Sequence, residues 1–338
     1  MASCPAAAPL AVSIGDPAGI GPEIVAAAWA ARERENLPAF FAIGDRRAIA
    51  AVWDGPVTTL AEPTEAAAAF ATGLPLVQVD DPGDISPGDP NLAGARCALD
   101  SLEIAVGLAR NGFAGGIVTG PVSKAQLYAI GFNYPGQTEF VAERCGIAAS
   151  NAVMMLAGPS LRTIPITVHS PLADVPRLLS TDLIICKARI TARALARDFG
   201  IANPRIVIAG LNPHAGESGT LGREDMDIIR PAVEALRAEG LDVRGPLAAD
   251  TMFHAEARQG YDVALCMYHD QALIPLKTLH FDDGVNVTLG LPIVRTSPDH
   301  GTAFGIAGKG LASPRAMIEA IRMAGACAAR RIAAQAAA

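Results

Sequence analysis

Short, nearly continuous apolar runs alternate with longer Ala- and Leu-rich stretches along most of this chain. Leu10–Ile14, Ala39–Ile43, Gly116–Thr119, Leu161–Val168, Arg205–Leu211 and Asp262–Met267 have the length and continuity of strands covered on both faces. Between them Glu23–Arg34, Ala95–Asn111, Asp182–Phe199, Glu224–Glu239 and Pro314–Ala336 read as helices. Strand and helix in alternation predict an α/β chain on a largely parallel sheet. No internal repeat is visible. The segment Asp80–Pro90, rich in Pro, Gly and Asp, reads as a surface loop, and composition alone marks no domain boundary.

With 338 residues, 51% of them apolar, the chain can bury a sizeable core and is long enough for two ordinary domains. A formal net charge of −7 argues against a nucleic-acid or anionic-membrane partner. No stretch reaches the roughly 18 uninterrupted apolar residues of a membrane span. The opening Met1–Pro9 has neither a basic start nor a long apolar run, so no signal peptide is expected and the location reads as cytoplasmic. Six cysteines (Cys4, Cys97, Cys145, Cys186, Cys266, Cys327) lack any paired spacing and read as reduced, mostly core, thiols.

The placement of three histidines changes the picture. His169 directly follows the strand Leu161–Val168, His214 lies three residues beyond Arg205–Leu211, and His269 follows Asp262–Met267. Ligands of open α/β sheets bind outside the carboxyl ends of the strands, where three imidazoles can converge on one divalent ion. A histidine in such a place is also a common loop residue bonded to backbone, and the pattern alone leaves both readings open. His254 and His280 read as surface or structural residues.

Two familiar phosphate loops are excluded. Gly19-Ile20-Gly21-Pro22-Glu23 continues with Ile24 where a Rossmann turn needs glycine, and Gly308-Lys309 lacks the Walker A frame. The segment Asp299-His300-Gly301-Thr302-Ala303, followed by Ile306-Ala307-Gly308-Lys309-Gly310, resembles the cofactor loop of the isocitrate and isopropylmalate dehydrogenase superfamily; a Gly-rich turn before a helix explains it as well. Gly120-Pro121-Val122-Ser123-Lys124, with Pro early in a helix, and Gly136-Gln137-Thr138-Glu139 are candidate anion sites at helix starts. Lys277 and Arg295 are cations in apolar neighbourhoods, either substrate-facing or snorkelling.

These strings, together with Gly15-Asp16-Pro17-Ala18, Leu211-Asn212-Pro213-His214-Ala215-Gly216-Glu217, Met267-Tyr268-His269-Asp270-Gln271 and Gly284-Val285-Asn286-Val287, are spread along nearly the whole chain. Together they resemble the 4-hydroxythreonine-4-phosphate dehydrogenase family of pyridoxal phosphate biosynthesis. The resemblance implies two α/β/α domains with a cleft between them, isocitrate/isopropylmalate dehydrogenase-like. It divides the chain into 1–128 plus 304–338 on the cofactor side and 129–303 on the metal, substrate and dimer side. It implies a homodimer with the active site shared between subunits, and a divalent metal (zinc, magnesium or cobalt) on His169, His214 and His269. Substrate contacts fall to Gln137, Thr138, Lys277, Asn286 and Arg295, and NAD or NADP to His300, Gly301, Thr302 and Ala303. Lys277 is a candidate for phosphate pairing or for the base. Asp270 is a candidate for orienting a ligand imidazole or for taking a proton.

The implied reaction oxidises and decarboxylates 4-phosphohydroxy-L-threonine to 3-amino-2-oxopropyl phosphate. An alternative is the same chemistry on a four-carbon phosphorylated acid sugar or a dihydrodiol dicarboxylate. More distant rivals are a metallohydrolase without nicotinamide and an acyl-phosphate transferase. The chain departs from the family pattern at Gln137, where histidine is common, so this position can hydrogen-bond but cannot carry charge or shuttle a proton. Ser170 is a second, minor departure.

Overall fold

The computed structural model describes residues 8–79 and 83–336. Cys4, most of the Met1–Pro9 opening and the first three residues of the Asp80–Pro90 segment lie outside the described residues. The chain starts with strands β1 (Leu10–Ser13), β2 (Phe40–Gly44), β3 (Val57–Thr59), β4 (Leu74–Gln78) and β5 (Ile117–Thr119). It continues with β6 (Val153–Ala157), β7 (Arg162–Pro165), β8 (Ile206–Ala209), β9 (Val243–Leu247), β10 (Val263–Cys266) and β11 (Val285–Leu289), and then β12 (Arg295–Pro298). This is the expected α/β alternation, resolved into two compact units.

The first unit holds the residues up to Ala149 and those from Leu291 onward. Its strands run in the order β3-β4-β2-β1-β5-β12, every neighbouring pair parallel. Phe40, Phe41, Leu10, Ile43 and Ile117 are fully buried along these strands. The helix Leu92–Arg110 begins where the Asn91 side chain accepts the Gly94 N–H at 2.8 Å, the usual relief of a first-turn donor.

The second unit is Ser150–Gly290, with the order β11-β6-β7-β10-β8-β9. Its pairs β11/β6 and β6/β7 are antiparallel; β7/β10, β10/β8 and β8/β9 are parallel. The helix Thr181–Phe199 is capped by Ser180, whose hydroxyl accepts from Leu183 N–H at 3.1 Å, and closes on Gly200 in the left-handed conformation.

The first unit ends at Ala149 and resumes at Leu291. The helix Gln137–Arg144 belongs to the first unit because Phe140 packs on Phe132 and Tyr134, and Arg144 reaches Glu103 of the helix Leu92–Arg110 at 2.8 Å. β12 belongs there through its parallel pairing with β5.

Two helix expectations change. Glu224–Glu239 is not one regular helix: a π-helical turn, Asp225–Ile229, precedes the α-helix Arg230–Ala238. Arg230 N–H reaches back five residues to Asp225 O, and the following Pro231 has no N–H to continue the tighter ladder. Pro121 is not helical either. The helix Lys124–Ala129 starts after Ser123, and Pro121 O instead accepts the Asp16 N–H at 2.9 Å. That close approach requires Gly15, at φ +73°, where a Cβ would lie 2.3 Å from Pro121 O.

Among the described residues five cysteines are free thiols; Cys97, Cys266 and Cys327 are buried, while Cys145 and Cys186 are half-buried. No described helix is long and apolar enough to cross a membrane.

Candidate active site

Strands β7, β10 and β8 are adjacent and parallel, and the three candidate metal histidines follow their carboxyl ends. The β7/β10 register sets Pro165 opposite Cys266, and pairing continues beyond it: Ile166 N–H donates to Cys266 O at 2.7 Å, and Thr167 Oγ1 donates to Met267 O at 2.8 Å. The two chains therefore leave the sheet side by side and deliver His169 and His269 together, with ring centroids 5.5 Å apart. Two imidazoles sharing a tetrahedral ion at about 2.0–2.1 Å would have centroids about 5 Å apart, close to this separation.

His269 Nδ1 lies 2.7 Å from Asp270 Oδ1. A carboxylate only accepts, so Nδ1 carries a proton here, and in the neutral ring Nε2 is then the atom with a lone pair for a ligand. Asp270 thus occupies the orienting position relative to the ring. His169 and His214 have φ of 51° and 52°, a left-handed conformation that costs non-glycine residues about 1–2 kcal/mol. From His214 to Gly219 every φ is positive. The described residues contain no group of three His, Cys, Asp or Glu side chains that could hold a metal ion. The structure joins His169 with His269, and His214 does not complete a three-residue group with them.

Sequence reasoning passed over the residues that hold these strand ends. Asp225, 1% exposed, accepts Leu211 N–H at 2.9 Å, Asn212 N–H at 3.2 Å and the Asn212 side-chain amide at 3.0 Å, anchoring the entry to the His214 turn. Gln271 accepts Met267 N–H at 2.6 Å and donates to Gly210 O at 2.8 Å, tying β10 to the end of β8. Lys187, on the helix Thr181–Phe199, donates to Pro165 O at 3.3 Å and Ile166 O at 2.8 Å where β7 ends. Burial pushes its ammonium down to about 8. None of the three stands out in the sequence: Asp225, for one, lies among the charged residues Arg223, Glu224 and Asp227.

Lys277 lies on the helix His269–Leu279, half-buried, with Nζ 6.0 Å from the Phe281 ring centroid. Asn286 sits on β11, and its Oδ1 is buried without a hydrogen-bond partner. His254 caps the helix Ala255–Gln259, and His280 contacts Ser160 Oγ at 2.8 Å, both structural placements.

In the first unit Arg295 is 4% exposed; Nη2 donates to Thr119 Oγ1 at 2.9 Å and Nη1 to Thr138 Oγ1 at 3.3 Å. Burial pushes its guanidinium down to about 10, against the favourable charge of Glu139, and it stays cationic at neutral pH. Gln137 begins the helix Gln137–Arg144 and its amide donates to Gly120 O at 3.1 Å, leaving Oε1 buried without a partner. Buried polar atoms are rarely left unsatisfied, so Gln137 Oε1 and Asn286 Oδ1 are acceptors suited to a ligand's donors. The segment His300–Ala303 follows β12; His300 is exposed with Nδ1 3.1 Å from Gly301 O, and Ala303 has φ 46°.

Residues 36–324 match the family described as pyridoxal phosphate biosynthetic protein PdxA. The chain belongs to the PdxA family. Among its relatives, the 4-hydroxythreonine-4-phosphate dehydrogenase of Zymomonas mobilis is 57% identical over 316 residues, 94% of each chain. A crystal structure described as 4-hydroxythreonine-4-phosphate dehydrogenase from Klebsiella pneumoniae superposes with a TM-score of 0.84 at 35% identity, covering 95% of this chain and 98% of the other. A structure described as terephthalate 1,2-cis-dihydrodiol dehydrogenase from Burkholderia xenovorans is more distant, with a TM-score of 0.66 at 31% identity over 95% of this chain and 98% of that one. The likeness is therefore stronger to the structure bearing the hydroxythreonine phosphate name than to the one named for a dihydrodiol.

Proposed function

We propose that this chain oxidises 4-phosphohydroxy-L-threonine with NAD or NADP and releases carbon dioxide, giving 3-amino-2-oxopropyl phosphate for pyridoxal 5′-phosphate biosynthesis. The observation that carries the reading is the near full-length identity with a relative named for that dehydrogenase. The fold supplies groups suited to the chemistry. Arg295, cationic and held by Thr119 and Thr138, suits a phosphate or carboxylate oxygen. Gln137 Oε1 of the first unit and Asn286 Oδ1 of the second are each a buried acceptor that suits a hydroxyl or ammonium donor.

His169, His214 and His269 would hold a divalent zinc, cobalt or magnesium ion, with ligands shared across a cytoplasmic homodimer. When bound, the ion supplies Lewis acidity that brings proton loss from an alcohol toward neutral pH, while a nicotinamide accepts hydride. Asp270 fixes the tautomer of His269, and Lys277 pairs with the phosphate or takes the hydroxyl proton. The segment His300–Ala303 would take the dinucleotide.

The test is reduced-nicotinamide formation with each of the three substrate classes. A kcat/KM at least 100-fold higher on 4-phosphohydroxythreonine is expected. A preference for the dihydrodiol dicarboxylate or the acid sugar overturns the reading.

A further inference from the structure

The string Gly15–Glu23 fails as a Rossmann turn and has no part in the site described above. In the fold it grips another segment of the first unit. Ile20 N–H donates to Thr302 O at 3.0 Å. Gly19 permits the approach, since a Cβ there would stand 2.9 Å from the same oxygen. Two residues into the helix Gly21–Ala30, Glu23 is only 9% exposed and turns its carboxylate onto the same loop. Its Oε2 accepts Gly308 N–H at 3.2 Å and its Oε1 accepts Ala312 N–H at 3.4 Å.

These contacts fasten the loop at Thr302, Gly308 and Ala312. The backbone stays open just before Thr302 and between Thr302 and Gly308: nothing lies within 4 Å of where a Cβ would stand on Gly301 or Gly305. Lys309 Nζ closes on Gly305 O at 2.7 Å, so the one cation between the fastened points is folded back onto the loop. A carboxylate receiving two backbone N–H groups ties two points of the loop to one side chain, and an early helical position also suits its negative charge. Such a clamp fits a segment whose backbone must be preset for a ligand before it arrives.

We propose that Glu23 is the positioning residue of the dinucleotide loop: it holds Gly308 and Ala312 so that the backbone from His300 to Ala307 stands ready for the adenosine half of NAD(P). The inference rests on the reading of that loop as the cofactor site. Glu23 does not touch the dinucleotide; it acts through the loop. Glu23→Gln keeps one acceptor and sets an amide N–H against a backbone N–H. Glu23→Asp keeps both acceptors on a shorter stem.

The experiment titrates NADH into the full-length protein and follows nicotinamide fluorescence, with steady-state kinetics and hydrogen exchange alongside. Glu23→Gln is expected to bind NADH about tenfold more weakly, with a raised KM for the dinucleotide and near-unchanged kcat and substrate KM. Glu23→Asp is expected to recover part of the affinity. In the wild type, amide protection over Phe304–Ala312 is expected to exceed that in Glu23→Gln, a comparison that needs no turnover. Folded Glu23→Gln with wild-type NADH affinity overturns the clamp alone. Wild type that binds neither NADH nor NADPH overturns the loop reading and the clamp with it.

Discussion

His269 and its sequence neighbour Asp270 are joined by a 2.7 Å contact between ring Nδ1 and carboxylate Oδ1, which makes Nε2 the acceptor of the neutral ring. The His169 ring stands 5.5 Å away, centroid to centroid. A neighbour of this kind raises ligand basicity and fixes ring orientation, and its loss typically costs 10–100-fold in metal affinity. Asp270→Asn should therefore shift the metal concentration for half-maximal turnover upward by about 10–100-fold. Turnover should recover at saturating metal. A metal titration identical to wild type would remove Asp270 from this role.

Arg295 pairs with two threonine hydroxyls from inside the fold, and a charged hydrogen bond is worth about 1.5–3 kcal/mol. Arg295→Met should lower kcat/KM for the phosphorylated substrate by roughly 10- to 150-fold, mostly through KM. Arg295→Lys should recover little, because an ammonium cannot span both hydroxyls and a substrate anion as a planar guanidinium does. Steady-state kinetics with both variants decides it; equal KM in all three proteins would place the substrate anion elsewhere.

Asp225 carries the start of the left-handed turn that bears His214. Asp225→Ala leaves the buried amides of Leu211 and Asn212 without their acceptor, at about 1–3 kcal/mol for each group. The variant should show a lowered Tm and, where it remains folded, weakened metal-dependent turnover. A loss of stability with an unaltered metal response would confine Asp225 to a structural role.

Lys187 makes a pH prediction. Its folded-state pKa is about 8, below the unfolded value of about 10.4, so between these limits the unfolded chain binds more protons. Stability must then rise with pH through that window, by up to about 3 kcal/mol, as the buried ammonium loses its charge. The difference in Tm between wild type and Lys187→Met, followed from pH 7.5 to 10, should move in favour of wild type. A flat difference would contradict the assignment.

Much of this was legible in the chain. The apolar runs marked the strands that carry the three histidines, because parallel strands buried on both faces announce themselves by continuity. β12 did not, since Arg-Thr-Ser-Pro is polar and is nonetheless wholly buried through side-chain bonds such as Thr296 Oγ1 to Ala320 O. The helix His269–Leu279 hid behind Pro275 inside it. At the site, residue types and strand ends pointed to His169 and His269. The supports came from distant elements: Lys187 reaches β7 from the helix Thr181–Phe199, and Glu23 reaches Ala312 across most of the chain. Such partners follow from tertiary packing, which no local pattern encodes.

The central claim is a metal-assisted oxidation by a nicotinamide. Its most direct test is the absorbance of reduced nicotinamide during turnover of 4-phosphohydroxythreonine, before chelation, after chelation, and after adding back zinc, cobalt or magnesium. The account predicts that chelation abolishes the signal, that one of these ions restores it, and that His214→Ala gives no signal in any condition. An undiminished rate in thoroughly chelated wild type, or in His214→Ala, would contradict it.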